Sequence, residues 1–305
     1  VVTTGGEIHV RGGRGGEISY MVDGITVTDP YNSGIAVEIE NNAIQELQFI
    51  SGTFNAEYGQ AMSGIVNIIT KDGDYADYSG SISGNLGDYL AEDPLFPKVG
   101  QFNSDNISDL KANIEGPILP GKISFFVSGR QKRNDGYLLG ERIFHPNSYS
   151  WSETQNMFLI DSIVGLGNGL VPADSLWAPL YYQDSLRTLI DTLRKQDAFD
   201  WVPMNWSEQT TYQAKVSWRV TPKIKFGYNR MFSDTRSQSY SHDYRWNPDG
   251  RPYSFNTRIG DIIRTDISIN QSTFANVMYS SADNHYSCLL YTSPSPRDQR
   301  GSGVA

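Results

Sequence analysis

Cysteine is almost missing from this 305-residue chain; the one present, Cys288, can build neither a disulfide framework nor a thiolate metal site. Histidine is nearly as scarce, and His9, His145, His242 and His285 stand too far apart for metal-ligand spacing. Basic residues are outnumbered, 25 against 34 acidic ones, for a formal net charge of −9. That balance argues against a nucleic-acid partner, whose phosphates need clustered Lys and Arg. No apolar run approaches about 18 residues, which excludes a helical membrane span. It does not exclude a β-barrel, which hides its lipid face in every second residue. P-loop and G-x-S-x-G patterns are both absent. Gly165-Leu-Gly-Asn-Gly169 lacks the spacing of a dinucleotide turn. Arg11-Gly-Gly-Arg-Gly-Gly16 could cradle an anion with backbone N–H groups, but it lacks the Lys-Ser/Thr of a nucleotide site. Nothing points to an enzyme, and no cofactor is expected.

What the chain has is aromatic residues, 12% of the total, which argues against disorder. Its end is set aside first. Residues 288–298 read CLLYTSPSPRD, one reading frame of a common sequencing-library transposase adapter. Residues 288–305 are therefore expected to be an artefactual tail, and the natural protein is expected to be longer at both ends.

Two textures divide the remainder. The first seventy or so residues are Gly-dense, with short β-type runs at Glu7–Arg11, Ile18–Val22, Ile25–Thr28, Glu46–Ser51 and Ile65–Thr70. Asp23-Gly24 between two such runs predicts a two-residue hairpin, because both residue types tolerate positive φ. A short helical turn is expected over Thr53–Tyr58, closed by Gly59.

From about Asp77 the chain alternates. Tyr212, Ala214, Val216, Trp218 and Val220 fall on one face of a strand, with Gln213, Lys215, Ser217 and Arg219 on the other. Leu110, Ala112 and Ile114 alternate with Asp109, Lys111, Asn113 and Glu115, and Ile224, Phe226 and Tyr228 continue the theme. Seven strands are predicted, at roughly 76–88, 107–116, 122–134, 209–220, 223–235, 261–270 and 273–286. Short turns would close one end and long connections (89–106, 136–208, 236–260) the other. Loops beyond about 15 residues are uncommon in compact domains, whereas outer-membrane barrels routinely pair short turns with long outer loops. The alternation also fits a half-solvated soluble sheet.

The longest connection holds Trp151, Trp177, Trp201 and Trp206. Leu186, Leu189, Ile190 and Leu193, after Asp184 as an N-cap and with Arg194 and Lys195 in the last turn, predict a short amphipathic helix. Trp151, Trp201, Trp206 and Trp246 are the ligand-contact candidates, since exposed rings can stack on sugars or other ligand rings; packing within the loops is the alternative use.

The opening segment resembles the second half of the plug domain of TonB-dependent outer-membrane receptors. The residues carrying this are Ile8-His-Val-Arg-Gly-Gly13, Tyr20-Met-Val-Asp-Gly-Ile25, Ile44-Gln-Glu-Leu47, Ser51-Gly-Thr-Phe-Asn-Ala-Glu-Tyr-Gly59 and Ser63-Gly-Ile-Val-Asn-Ile-Ile-Thr-Lys71. Asp29-Pro-Tyr-Asn32 and Phe54-Asn-Ala-Glu57 are similar to the Oar-like branch, whose members often add a carboxypeptidase-regulatory-like domain. The resemblance implies a mostly β fold: a small mixed plug domain over 1–74, then about seven antiparallel strands of a truncated transmembrane barrel over 75–287. It implies the outer membrane of a Gram-negative-type bacterium as location. TonB is an implied partner, through an N-terminal segment outside this chain, together with outer-membrane lipid, a large solute and a surface lipoprotein; nucleic acid is not. Energy-coupled uptake of a glycan, siderophore or peptide is the expected function. An Oar-like adhesion or secretion factor and a soluble glycan-binding β-protein are the alternatives. Arg11 and Arg14 of the plug are expected to pair with Asp109 or Glu115 of the wall.

Overall fold

The computed structural model describes residues 2–4, 7–9, 17–28, 34–36, 39–50, 63–92, 98–100, 102–143, 149–152, 157–160, 199–270 and 272–289, and single residues 96, 188, 191, 192 and 195. The strands are β1 (Val2–Thr4), β2 (Glu7–His9), β3 (Ile18–Val22), β4 (Ile25–Thr26), β5 (Ile44–Ile50) and β6 (Gly64–Thr70). Then come β7 (Ser79–Gly87), β8 (Ile107–Leu119), β9 (Ile123–Asn134), β10 (Leu139–Glu141), β11 (Tyr149–Ser152) and β12 (Met157–Ile160). The last five are β13 (Trp201–Pro203), β14 (Ser207–Thr221), β15 (Ile224–Ser237), β16 (Tyr253–Ser268) and β17 (Phe274–Leu289).

A four-stranded mixed sheet in the order β4-β3-β6-β5 forms the small body, with β3 parallel to β6. Asp23 and Gly24 turn β3 into β4 at φ of 51° and 86°, the double positive φ of a primed hairpin turn. One of its apolar clusters is Ile18, Val66 and Ile68, packed by Tyr20, Ile35, Ile39 and Ile44, and Ile65 and Ala43 are fully buried as well. The predicted turn over Thr53–Tyr58 lies outside the described residues.

Seven antiparallel strands form the large sheet, in the order β17-β16-β15-β14-β9-β8-β7. Turns at Leu119–Ile123, Thr221–Ile224 and Ser268–Phe274 close one end, and the long connections rise from the other. Six strands lie within a few residues of their predicted places. β16 begins at Tyr253 rather than near 261: Tyr253, Phe255, Thr257 and Ile259 already alternate with Ser254, Asn256 and Arg258, and pairing with Phe232 to Ser237 extends the ladder over them. In the longest connection, Thr188, Asp191, Thr192 and Lys195 are helical and exposed. Leu186, Leu189, Ile190 and Leu193, the apolar positions of the expected amphipathic helix, lie outside the described residues.

The sheet's two faces are the reverse of a water-soluble layer. On β14 the polar residues Thr211, Gln213, Lys215 and Ser217 are buried under the small sheet, while Tyr212 is 56% and Trp218 43% exposed. The apolar residues run in register across the wall: Ala112, Gly129, Tyr212, Phe232 and Ile259 form one row. Gly116, Phe125, Val216, Tyr228 and Ile263 form another. Tyr212 and Phe232 stack at 6.3 Å between ring centroids.

Among the described residues the two sheets meet through an apolar patch, Val22 and Val27 against Met231 and Ile262, and through polar groups. The chain leaves β6 along the wall's polar face, where the Lys71 ammonium sits 5.7 Å over the Phe126 ring. Gly73 follows at φ 80°; a Cβ there would lie 2.2 Å from the Phe125 carbonyl oxygen, so only glycine lets the connection lie this close.

Candidate functional site

Asp23 shapes the hairpin turn and also aims its carboxylate back at the end of β6. It accepts from the Thr70 backbone N–H at 2.9 Å and from the Thr70 hydroxyl at 2.7 Å. Lys215 enters from β14, inward by the period-two rule. Its ammonium donates to Asp23 Oδ2 at 3.0 Å, to Thr70 Oγ1 at 2.8 Å and to the Thr70 carbonyl at 3.2 Å. Asp72 Oδ1 lies 2.9 Å away and completes its surroundings. Lys225 of β15 pairs with the other oxygen of Asp72. Asn229 donates toward Asp23 and Thr70, and its own carbonyl accepts from Gln213. Arg264 of β16 donates to the Asp23 carbonyl at 3.2 Å.

The result is a charged seam joining the small sheet to three wall strands, bordering a cavity of about 170 Å³. Burial alone would raise the Asp72 pKa, but the charges and hydrogen bonds of Lys215 and Lys225 outweigh it and hold the carboxyl at about 2, against an ordinary 3.8. Lys215 and Asp23 are 9% and 6% exposed, so neither charge is screened by bulk water. Removing one member of such a set strands the others. Chemically the seam is a latch: it fixes one sheet to the other through buried ion pairs and hydrogen bonds.

A second tie lies further along the wall. Arg130 of β9 holds Asp109 of β8 with two hydrogen bonds, at 2.7 and 2.8 Å. Its remaining nitrogen reaches Glu40 of the small body at 3.1 Å. Asp109 thus belongs to a tie between the sheets, with Arg130 as its arginine. Glu115 accepts from Ser79 on the neighbouring strand. Arg11 and Arg14 lie outside the described residues.

Sequence reasoning read Asp23 as a turn former and Lys215 and Lys225 as charges on a wet face, and gave no role to Thr70, Asp72 or Arg130. The usable signal was the charge at the inward positions 215, 225 and 264, which a solvated lumen alone does not require.

The candidate tryptophans lie elsewhere. Trp151 is in β11, opposite Phe158. Trp201 opens β13, which pairs with β10, and Trp246 accepts a backbone hydrogen bond from Ile143 while Arg245 stacks on its ring at 4.8 Å. Trp206 and Tyr253 pack at 5.6 Å beside a cavity of about 270 Å³ at the long-loop end. Glu208 and Arg133, directly paired across β14 and β9, line this cavity. They share the parity of Tyr212, so the cavity lies on the face turned away from the small sheet.

No family model matches the chain. Over 128 residues, 39% of its length, it is 27% identical to the TonB-dependent transporter Oar of Myxococcus xanthus, of which it spans 12%. Its fold matches the outer membrane transporter YddB of Escherichia coli with a TM-score of 0.55 and 8% identity, over 90% of this chain and 32% of that one. It also matches the siderophore receptor PirA of Acinetobacter baumannii with a TM-score of 0.51 and 13% identity, over 89% and 32%. The chain therefore spans about a third or less of these relatives.

Proposed function

We propose, on the premise that this chain is a distant member of the TonB-dependent outer-membrane transporter family, that residues 1–74 belong to its plug and residues 75–287 to its barrel wall. The whole protein would then carry a large solute (a glycan, siderophore or peptide) across the outer membrane. The observation that carries this reading is a small sheet latched by charged side chains to the polar side of a wall whose other side is apolar and uncovered. A plug must stay seated until force is applied and then move without exposing a large dry core. Ion pairs and hydrogen bonds bordering a cavity meet both needs, because they hold at short range and part without uncovering a large apolar face. TonB, acting through a segment preceding the described strands, would supply the force. A surface lipoprotein would assist capture at the long loops.

The test is uptake by cells carrying the complete gene, with and without TonB and with the proton gradient collapsed. Loss of uptake in both treatments is the expected result. Recovery of the protein in plain buffer without detergent would overturn the membrane assignment. A surface phenotype that persists without TonB would favour the adhesion or secretion role instead.

A further inference from the structure

The rim cavity beside Trp206 takes no part in the latch and faces away from the pore. We propose that it docks the sugar headgroup of a glycolipid in the surrounding outer leaflet. This rests on the reading of the wall as membrane-spanning.

Position is the first argument. Glu208 lies ten residues along β14 from Trp218, on the same outward face. With a rise of about 3.3 Å per residue and a tilt of about 35–45°, ten residues climb roughly 25 Å, the height of the apolar band of such a wall. The cavity therefore opens where acyl chains give way to headgroups.

Its chemistry is the second. Trp206 and Tyr253 both line it, their rings 5.6 Å apart and inclined at 45°, and an aromatic ring is a surface on which the C–H side of a sugar stacks. Around them the polar groups are fixed in advance. Arg142 makes two hydrogen bonds to Asp249, at 2.6 and 3.0 Å, and Arg133 makes two to Asp135, at 2.8 and 3.0 Å. Planar guanidinium–carboxylate pairs offer remaining donors and acceptors in a rigid frame, as a ring of hydroxyls requires. Both arginines lining the cavity are thus committed to carboxylates, and with Glu208 the lining carries three acids against two bases. A phosphate or carboxylate ligand would meet net negative charge; a neutral sugar would not.

Construction is the third. Three separate segments are knit together here: Gln238 donates to the Pro248 and Arg251 carbonyls, Met204 N–H bonds Leu138 O, and Glu141 N–H bonds Arg245 O. A pocket so held is formed before its ligand arrives, which limits the ordering entropy of binding.

The complete protein, purified in detergent and presented with digalactosyl diacylglycerol or phosphatidylglycerol, tests this by native mass spectrometry. The galactolipid should be retained, and Trp206→Ala or Tyr253→Ala should lower retention at least tenfold. Trp206→Phe, which keeps a ring, should stay within about threefold, and heat-modifiable gel migration reports that each variant is folded. Equal or better retention of phosphatidylglycerol overturns the proposal, as does retention of neither lipid. Displacement by equimolar soluble digalactosylglycerol would assign the cavity to a free glycan and likewise overturn it. TonB-dependent uptake is scored separately on the same wild-type protein. Its absence would sink the transport reading and leave lipid retention as it is. A Trp206→Ala variant that loses uptake yet retains lipid would make the cavity a transport site.

Discussion

Lys215 brings one positive charge to two carboxylates, and its removal tests what the seam is worth. Lys215→Met leaves Asp23 nine-tenths buried without its ammonium, and it also frees one oxygen of Asp72. Breaking a buried pair in this way typically costs about 3–5 kcal/mol. The expected outcome in the complete protein is a plug that proteases reach at a lower denaturant concentration. Adding Asp23→Asn to that variant should recover part of the loss, because the uncompensated charge disappears with it; strictly additive effects would show that the two residues do not interact. Asp72 gives the seam a pH dependence of known sign. Its pKa in the folded protein, about 2, lies below the ordinary 3.8, so it stabilises docking above about pH 4 and the contribution fades as pH falls through 2. Pepsin cleavage of the plug should rise across that window, and Asp72→Asn should flatten this part of the response. An unchanged profile in the variant would assign acid sensitivity to other groups.

At the scale of strands, the outward rows decide between a lipid face and a merely half-solvated sheet. Ala214 lies midway between Trp218 and Thr210 on the exposed side of β14. An arginine near the middle of the apolar layer costs about 2–4 kcal/mol, falling to about 0–1 near its edges. Ala214→Arg should therefore destabilise the assembled protein by that larger amount, and Thr210→Arg by much less, measured by denaturant titration in detergent or bilayer. If the sheet faced water, both changes would fall within about 0.5 kcal/mol. The same contrast explains what was legible in advance. Period-two alternation marks a strand whatever lies on either side, so β8, β9, β14 and β15 could be read directly. The Asp23-Gly24 turn could be read because two positive φ angles leave few residue choices. Inward charge hints at a latch, but nothing local tells Lys111 apart from Lys215. Its partner is 192 residues away, and only the docking of one sheet on another brings them together. Trp206 was marked as a ligand-contact candidate in the long loops; the structure makes it half-buried beside Tyr253, and strand parity, counted from Tyr212 through Glu208, was needed to see which side of the wall it lies on.

For the molecule as a whole, the large sheet is an open arc. Among the described residues its outermost strands, β7 and β17, are each hydrogen-bonded to a single neighbour. In water such edges are solvated; in the apolar layer every unpaired N–H and C=O costs several kcal/mol, which is why spanning sheets close on themselves. β17 offers a 16-residue edge and β7 a nine-residue one. Among the described residues the apolar clusters of the small sheet are small, and the wall's apolar side contributes only once lipid covers it. This polypeptide expressed alone is therefore expected to be recovered as aggregate and to show no heat-modifiable gel species on refolding into detergent. The complete protein, with both edges paired, should show one. A stable, monodisperse, detergent-free particle from these residues alone would mean that the outward rows are covered by protein. The charged seam would then be the interior of a soluble sandwich, and no longer the hinge between a plug and its wall.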